Sequence, residues 1–170
     1  MIPFEPVLPS GMDISIRQAV GSDAPLIADY NQRLAQESEG LRLNPTCVRA
    51  GVAALLKDPA KGVYFVAEVD QAVVGQLMIT YEWSDWRNGN LWWIQSVYVA
   101  EPFRGSGVFR ALFNHVLNLA NAQPEVSGLR LYMDAHNSRA RQAYEGLGLK
   151  QTNYQVFEMA LRKRAEGRVE

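Results

Sequence analysis

The chain is predicted to fold as an α/β (α+β) domain, a mixed sheet with helices on its faces, and three features of its 170 residues carry that expectation. Segments with the two-residue period of strands alternate with segments of helical period, so neither an all-helical nor an all-strand architecture fits. Each helical segment has one apolar face, which must be buried against another element. Val63 to Val69 and Val73 to Trp83, rich in β-branched and aromatic residues, are separated by little more than Asp70-Gln71, the spacing of a hairpin.

Asp13 to Val20 alternates Ile14 and Ile16 with polar residues and reads as the first strand. Ser22 is placed to cap a helix with Ile27, Tyr30 and Leu34 inward. Asn44-Pro45 opens a second helix whose face is Val48, Val52, Leu55 and Leu56, and Asp58-Pro59 ends it because the residue before proline is pushed from helical angles. After the hairpin, Leu91 to Ala100 is apolar on nearly both faces, which suits a central, covered strand. Val108, Phe109, Leu112, Phe113, Val116, Leu117 and Leu119 recur at helical spacing up to Gln123, and Pro124 stops that helix. Gly128 to His136 reads as a strand, Asn137 caps a short helix with Ala140, Ala143, Tyr144 and Leu147 inward, and Gln151 to Leu161 closes the sheet. The order is β-α-α-β-β-β-α-β-α-β, in one domain over residues 1–170 with 1–12 and 162–170 as tails.

Composition narrows the function classes. With 48% hydrophobic and 21% charged residues this is an ordinary globular composition. A net charge of −1, from 17 basic and 18 acidic residues, lacks the field that draws proteins onto nucleic acid or anionic lipid. Cys47 is the single cysteine and His115 and His136 are the two histidines, so no internal disulfide forms and soft ligands are too few for a zinc site. The start lacks a basic, apolar leader and no run approaches about 18 apolar residues, so a cytoplasmic protein without membrane partner is expected.

Between the fourth strand and its following helix lies Phe103-Arg104-Gly105-Ser106-Gly107-Val108-Phe109. Glycines at such a junction let several backbone N–H groups converge where the helix dipole adds positive potential, an arrangement that suits a phosphate and equally makes a tight turn with no ligand. No Lys-Ser/Thr pair follows, and Arg110 replaces the third glycine of a dinucleotide fingerprint, so neither a nucleoside triphosphate nor NAD is favoured.

Val97-Tyr98-Val99 followed by Arg104 to Phe109 resembles the acetyl-CoA motif of the GNAT superfamily of N-acetyltransferases, whose form is Arg or Gln, two residues, Gly, one residue, then Gly or Ala. Arg104 and Gly107 match, and Phe109 stands where a small residue is usual. Asn137, the Ala140/Ala143 helix, Tyr144 and Leu147-Gly148-Leu149 resemble a second conserved segment of that family. The resemblance implies a mostly antiparallel sheet and acetyl-CoA as cosubstrate. It implies that Val97, Tyr98 and Val99 offer main-chain groups to the acetyl carbonyl and pantetheine, and that the amides of Arg104, Gly105, Ser106, Gly107, Val108 and Phe109 hold the pyrophosphate, with Asn137 beside the cofactor. A homodimer is common in the family.

Amine attack on a thioester needs a donor for the departing sulfur and an acceptor for the ammonium proton. The resemblance gives the first role to Tyr144, which read alone is an inward aromatic of its helix. A phenol near ~10 against a thiol near ~8.5 makes full transfer uphill by about 2 kcal/mol, so a hydrogen bond is the expected contribution. A lysine-like amine near ~10.4 loses its proton at a cost of about 4 to 5 kcal/mol at pH 7, and an α-amine near ~7.8 for about 1. Some family members carry a strand glutamate here; this chain has Gln95 and Ser96, leaving Glu82 and Asp85 as candidate bases acting through water, or as surface charges.

All four tryptophans fall within EWSDWRNGNLWW. Trp92 and Trp93 follow the strand pattern, while Trp83 and Trp86 flank Asp85, where aromatic faces beside a carboxylate favour an ammonium; Glu37 and Glu39 lie in a connection that often borders the acceptor in the family. His115, His136 and Cys47 read as structural, and Arg162 to Arg164 as a solvated tail. The leading function is transfer of an acetyl group from acetyl-CoA to a primary amine of a small molecule or protein. A CoA-binding module without turnover and a scaffold domain are the alternatives.

Overall fold

The structure, a computed structural model, describes residues 12–135, 137–159 and 168–169. Its strands are β1 (Ser15–Gln18), β2 (Arg42–Leu43), β3 (Val63–Val69), β4 (Ala72–Ser84), β5 (Gly89–Val99), β6 (Val126–Leu131) and β7 (Arg168–Val169). The helices are α1 (Ala24–Glu39), α2 (Pro45–Lys57), α3 (Val108–Asn121) and α4 (Ser138–Gly146). Five strands form one sheet in the order β1-β3-β4-β5-β6, and β2 pairs with β7 apart from it. All neighbours in the large sheet are antiparallel except β5 and β6, which run parallel because α3 crosses over between them.

Alternation along the strands divides the core in two. Tyr64 and Val66 of β3 face Ile27 and Ala28 of α1 and Val52 of α2. Phe65, Leu77, Ile79, Trp92 and Ile94 point the other way, onto Val108, Leu112, Phe113 and Val116 of α3. Gly75 allows the closest approach between β4 and the start of α3, since a Cβ there would stand 2.9 Å from Val108 Cγ1 and 3.1 Å from Tyr98 O.

Local signals explain several boundaries. Asn44 Oδ1 accepts from the N–H groups of Thr46 and Cys47 at 3.0 and 3.2 Å, and Pro45 supplies the first helical residue of α2. Asp70 and Gln71 both take left-handed angles, φ 49° and 64°, the pair a tight antiparallel turn requires.

The expected cap at Ser22 gives way to Asp23. Residues Gly21–Asp23 form a 3-10 turn, and the buried Asp23 carboxylate accepts from Val20 N–H at 2.7 Å and pairs with Arg17, which also reaches Glu68. The strand expected over Gly128 to His136 is shorter and begins earlier, at Val126, because its pairing with β5 ends at Leu131; His136 lies outside the described residues. Ala143 is exposed, as α4 meets the body of the protein through Tyr144 and Leu147. Residues 151–159 are not a strand. Their apolar positions change phase between Val156 and Phe157, so neither face of an extended segment is continuously apolar, and Tyr154, Val156, Phe157 and Met159 are exposed. Ala160, Leu161 and the tail arginines at 162 and 164 lie outside the described residues.

Candidate active site

The pairing of β5 with β6 stops at Ile94 and Leu131, while β5 continues alongside β4 as far as Val99 opposite Gly75. The two parallel strands therefore part company at residues 95–99 and 132–135, leaving a gap at one end of the sheet. A bulge sets the departure. Ser96 has φ 49°, and the register between β4 and β5 slips between Gln76 and Met78. Gln76, fully buried on β4, holds the bulge from behind by donating to Ser96 O at 3.2 Å and to Asn31 Oδ1 at 2.7 Å. The sequence reading passed over Gln76; the signal was an amide inside the apolar run Val73-Val74-Gly75-Gln76-Leu77.

Ala100 N–H donates to Val74 O at 2.9 Å, so strand alternation turns the N–H and C=O of Val99 toward the gap. That carbonyl is already engaged, because Arg104 Nε donates to it at 2.9 Å. The Val99 N–H is the group left for a ligand.

Beyond β5 the glycine stretch turns into α3. Gly105 and Gly107 have φ 80° and 90°, a region that strains any residue with a Cβ, although no atom lies within 4 Å of where a Cβ would be. Gly107 is the residue preceding α3, and the first helical bond runs from Ala111 N–H to Gly107 O at 2.9 Å. Two loop amides turn inward, Arg104 N–H to Glu101 O at 3.2 Å and Ser106 N–H to Phe103 O at 3.4 Å. Those of Gly105 and Gly107 have no backbone acceptor among the described residues, and those of Val108, Phe109 and Arg110 begin a helix, where none is available. The loop thus leaves several N–H donors without backbone acceptors at the positive end of a 14-residue helix, a donor set that suits an anion.

Phe109 points away from the loop, its ring lying 6.2 Å from Phe113 and 5.7 Å from Tyr144. It thereby brings α4 and the Tyr144 phenol to the start of α3. Burial pushes the Tyr144 pKa above the usual phenol value. Asn137 Oδ1 caps α4 by accepting from Ala140 N–H at 2.9 Å, so this oxygen serves its own helix.

Glu37, in the last turn of α1, reaches the same end of the sheet. Its carboxylate accepts from Tyr98 Oη at 2.9 Å and from Arg104 Nη2 at 2.5 Å, and the Arg104 guanidinium lies over the Tyr98 ring, 5.4 Å from its centre. Burial opposes the Glu37 charge, but the bonds from Arg104 and Tyr98 outweigh it and hold the carboxyl below its usual range. Tyr98 moves upward, through burial first and its bond to Glu37 second.

The structure does not bring the other candidates to the gap. Glu82 is opposite Leu91, six residues before Val97 and about 20 Å along the strand. Its carboxylate accepts from Trp93 Nε1 at 2.5 Å and from Arg130 Nη1 at 3.0 Å, in place of an open position for a substrate proton. Asp85 and Trp86 occupy the turn before Gly89, about 26 Å or more from Val97, with Asp85 Oδ1 accepting from Trp86 N–H at 2.9 Å. Trp83 and Trp86 are exposed, Trp92 is buried, and Trp93 stacks on Tyr132 at 4.3 Å. His115 meets Phe65 edge-on at 5.0 Å within the α3 layer. Among the described residues no group of His, Cys, Asp and Glu is arranged to hold a metal, and no helix is long and apolar enough to cross a membrane.

Residues 28–149 match the family described as "Acetyltransferase (GNAT) family". A solved structure described as a possible acetyltransferase, from Clostridium difficile 630, is 43% identical, with 89% of this chain and 99% of that one covered and a TM-score of 0.83. A predicted acetyltransferase with acetyl-CoA from Clostridium acetobutylicum is 18% identical over 88% and 97% of the two chains at a TM-score of 0.71. A ribosomal-protein-alanine N-acetyltransferase from Brucella melitensis biovar Abortus 2308 is 19% identical over 88% and 100%, at 0.70. At those identities the last two share the fold alone. Among curated proteins no match is found.

Proposed function

We propose, from the premise that the chain belongs to the acetyltransferase (GNAT) family, that it moves the acetyl group of acetyl-CoA to a primary amine by direct attack in a ternary complex. The observation that carries this reading is the conjunction of a gap between β5 and β6 with N–H groups that lack backbone acceptors at Gly105, Gly107 and the first turn of α3. A pantetheine arm fits the gap, a diphosphate fits the amides, and the thioester then lies beside Val97 and the Val99 N–H. That N–H polarises the acetyl carbonyl.

The amine nitrogen, once neutral, attacks the carbonyl carbon; the C–S bond breaks, and the sulfur leaves as a thiolate. Tyr144 is the donor beside it. With its pKa raised by burial, the phenol donates a hydrogen bond and keeps its proton, and solvent completes the protonation of CoA. The nitrogen sheds two protons, one from the ammonium before attack and one as the amide forms, and both pass to solvent, since Gln95 and Ser96 offer no carboxylate on β5. Such a site favours acceptors with depressed amine pKa, such as α-amines.

Glu82, Asp85, Trp83 and Trp86 enter this reading through acceptors long enough to span about 20 to 26 Å from the thioester, with Glu37 at the near end. The chain is read as acting on soluble amines, without nucleic acid or membrane as partner, in the cytoplasm and compatibly with a homodimer. Calorimetry with acetyl-CoA, followed by thiol release across short α-amines, lysine-like amines, diamines and peptides, tests the proposal. Heat with no thiol released in any amine leaves a CoA-binding module, a reading that the absence of a β5 carboxylate favours. Absence of heat overturns both.

A further inference from the structure

Arg104 occupies the motif position of the cofactor loop, yet its guanidinium faces back into the protein. Nε is bound to Val99 O at 2.9 Å and Nη2 to Glu37 at 2.5 Å, with the Tyr98 ring beneath. Glu37 and Arg104 are 67 residues apart in the chain, and the carboxylate is held at its other oxygen by Tyr98. We propose that Glu37 is a positioning residue for the cofactor loop: it fixes Arg104 against the Val99 carbonyl so that the loop amides and the Val99 N–H are ready for acetyl-CoA before it arrives.

Three observations support this assignment. Arg104 is the residue immediately before Gly105, so where its side chain is anchored governs where the glycine loop starts. An unanchored guanidinium beside a diphosphate would compete with the amides for it, whereas an Arg104 occupied by Glu37 leaves recognition to the fixed backbone donors. The second Glu37 contact, from Tyr98, comes from β5 itself, so the carboxylate ties α1, β5 and the loop at one point. The other charges facing this cluster are Arg33 on α1, which adds to the attraction on Glu37, and Glu101, which acts on Arg104. Because the pair is part exposed, its effect is expected to come through geometry more than through net charge.

The inference rests on acetyl-CoA being the cosubstrate, and the experiment separates the two claims. Acetyl-CoA affinity is measured by calorimetry for the wild type, Glu37→Gln, Arg104→Gln and the double variant, with thermal midpoints recorded alongside. Each single variant is expected to weaken binding about tenfold, and the double variant no further than either single one, because both cut the same connection. Tyr98→Phe removes one hydroxyl and is expected to lose about threefold. In turnover, the KM for acetyl-CoA rises while kcat at saturation stays within about twofold, a split that general loosening of the fold would not give. Singles that bind as the wild type does, or losses that multiply in the double variant, overturn the role of Glu37 and leave the transfer reading intact. A wild type that does not bind acetyl-CoA overturns both.

Discussion

The rings of Phe109 and Tyr144 meet edge to face with their centres 5.7 Å apart, joining the first turn of α3 to α4. The contact is made by the ring of Tyr144, so its hydroxyl can be removed without unseating it. Tyr144→Phe is expected to keep the thermal midpoint and the acetyl-CoA affinity while lowering kcat roughly 10- to 100-fold, the value of one hydrogen bond to a developing thiolate. The phenol donates in its neutral form, and burial raises its pKa above the ordinary value near 10, so donation persists as pH rises to that point. The ratio of wild-type to variant kcat should therefore be flat from pH 6 to about 9; a ratio that falls toward one across that range contradicts the role.

Gly107 takes φ 90° with open space around it, so a methyl group there meets strain in the backbone and no neighbour. Gly107→Ala is expected to cost about 1 to 2 kcal/mol, seen as a drop of roughly 2 to 8 °C in the thermal midpoint. If the loop amides hold the diphosphate, acetyl-CoA affinity falls with it. A stable variant with unchanged affinity would move the cofactor elsewhere.

Asp23 is buried with Arg17 at 2.7 Å, and Arg17 is the more exposed partner at 36%. The bonds from Arg17 hold the Asp23 carboxyl below its usual range against the effect of burial. A depressed folded pKa means that the contribution is complete above the unfolded value near ~3.9 and is lost as pH falls through the lower folded value. Asp23→Asn should cost about 2 kcal/mol in urea unfolding at pH 7, discounted from a fully buried pair because Arg17 is part solvated, and the difference should shrink below pH ~3.9. A difference that widens on acidification would show that the pair has the opposite linkage.

The turn at Asp85 and Trp86 is separated from the gap by most of β5. For an acceptor of a few atoms, Asp85→Ala and Trp86→Ala should leave KM within about twofold of the wild type, as expected for exposed residues without contact. For a long diamine the same substitutions should raise KM if the chain extends along the sheet. A large rise for the short amine would place the acceptor differently from the gap at Val97.

The fold was legible where the signal was local. Asn44-Pro45 capped its helix, Asp70-Gln71 made its turn, and the glycines of the loop adopted the angles that only glycine takes without strain. The strand end, glycine loop and helix start of the candidate site came with them, since they are contiguous in sequence. What escaped is what depends on residues far apart. Arg17 meets Glu68 51 positions away, Arg104 meets Glu37 67 positions away, and Gln76 braces the bulge at Ser96 from the neighbouring strand. The distance of the tryptophan-rich segment from the gap was hidden for the same reason: clustering in sequence around a hairpin turn said nothing of the length of strand between them. The closing strand failed although its change of phase between Val156 and Phe157 stands in the sequence, because the reading counted β-forming residues over the phase that pairing needs.

The sheet is held unequally along its width. β4 and β5 share a ladder from Gly75 and Val99 to Ser84 and Gly89, whereas β6 is attached through Asn90 to Ile94 and has no second neighbour among the described residues. In deuterium labelling, amides of β3 and β4 should exchange last and those of β6 and α4 first. The ligand-facing margin of the protein is thus its quickest to open, and a bound thioester bridging that margin would slow exchange there far more than in the antiparallel centre.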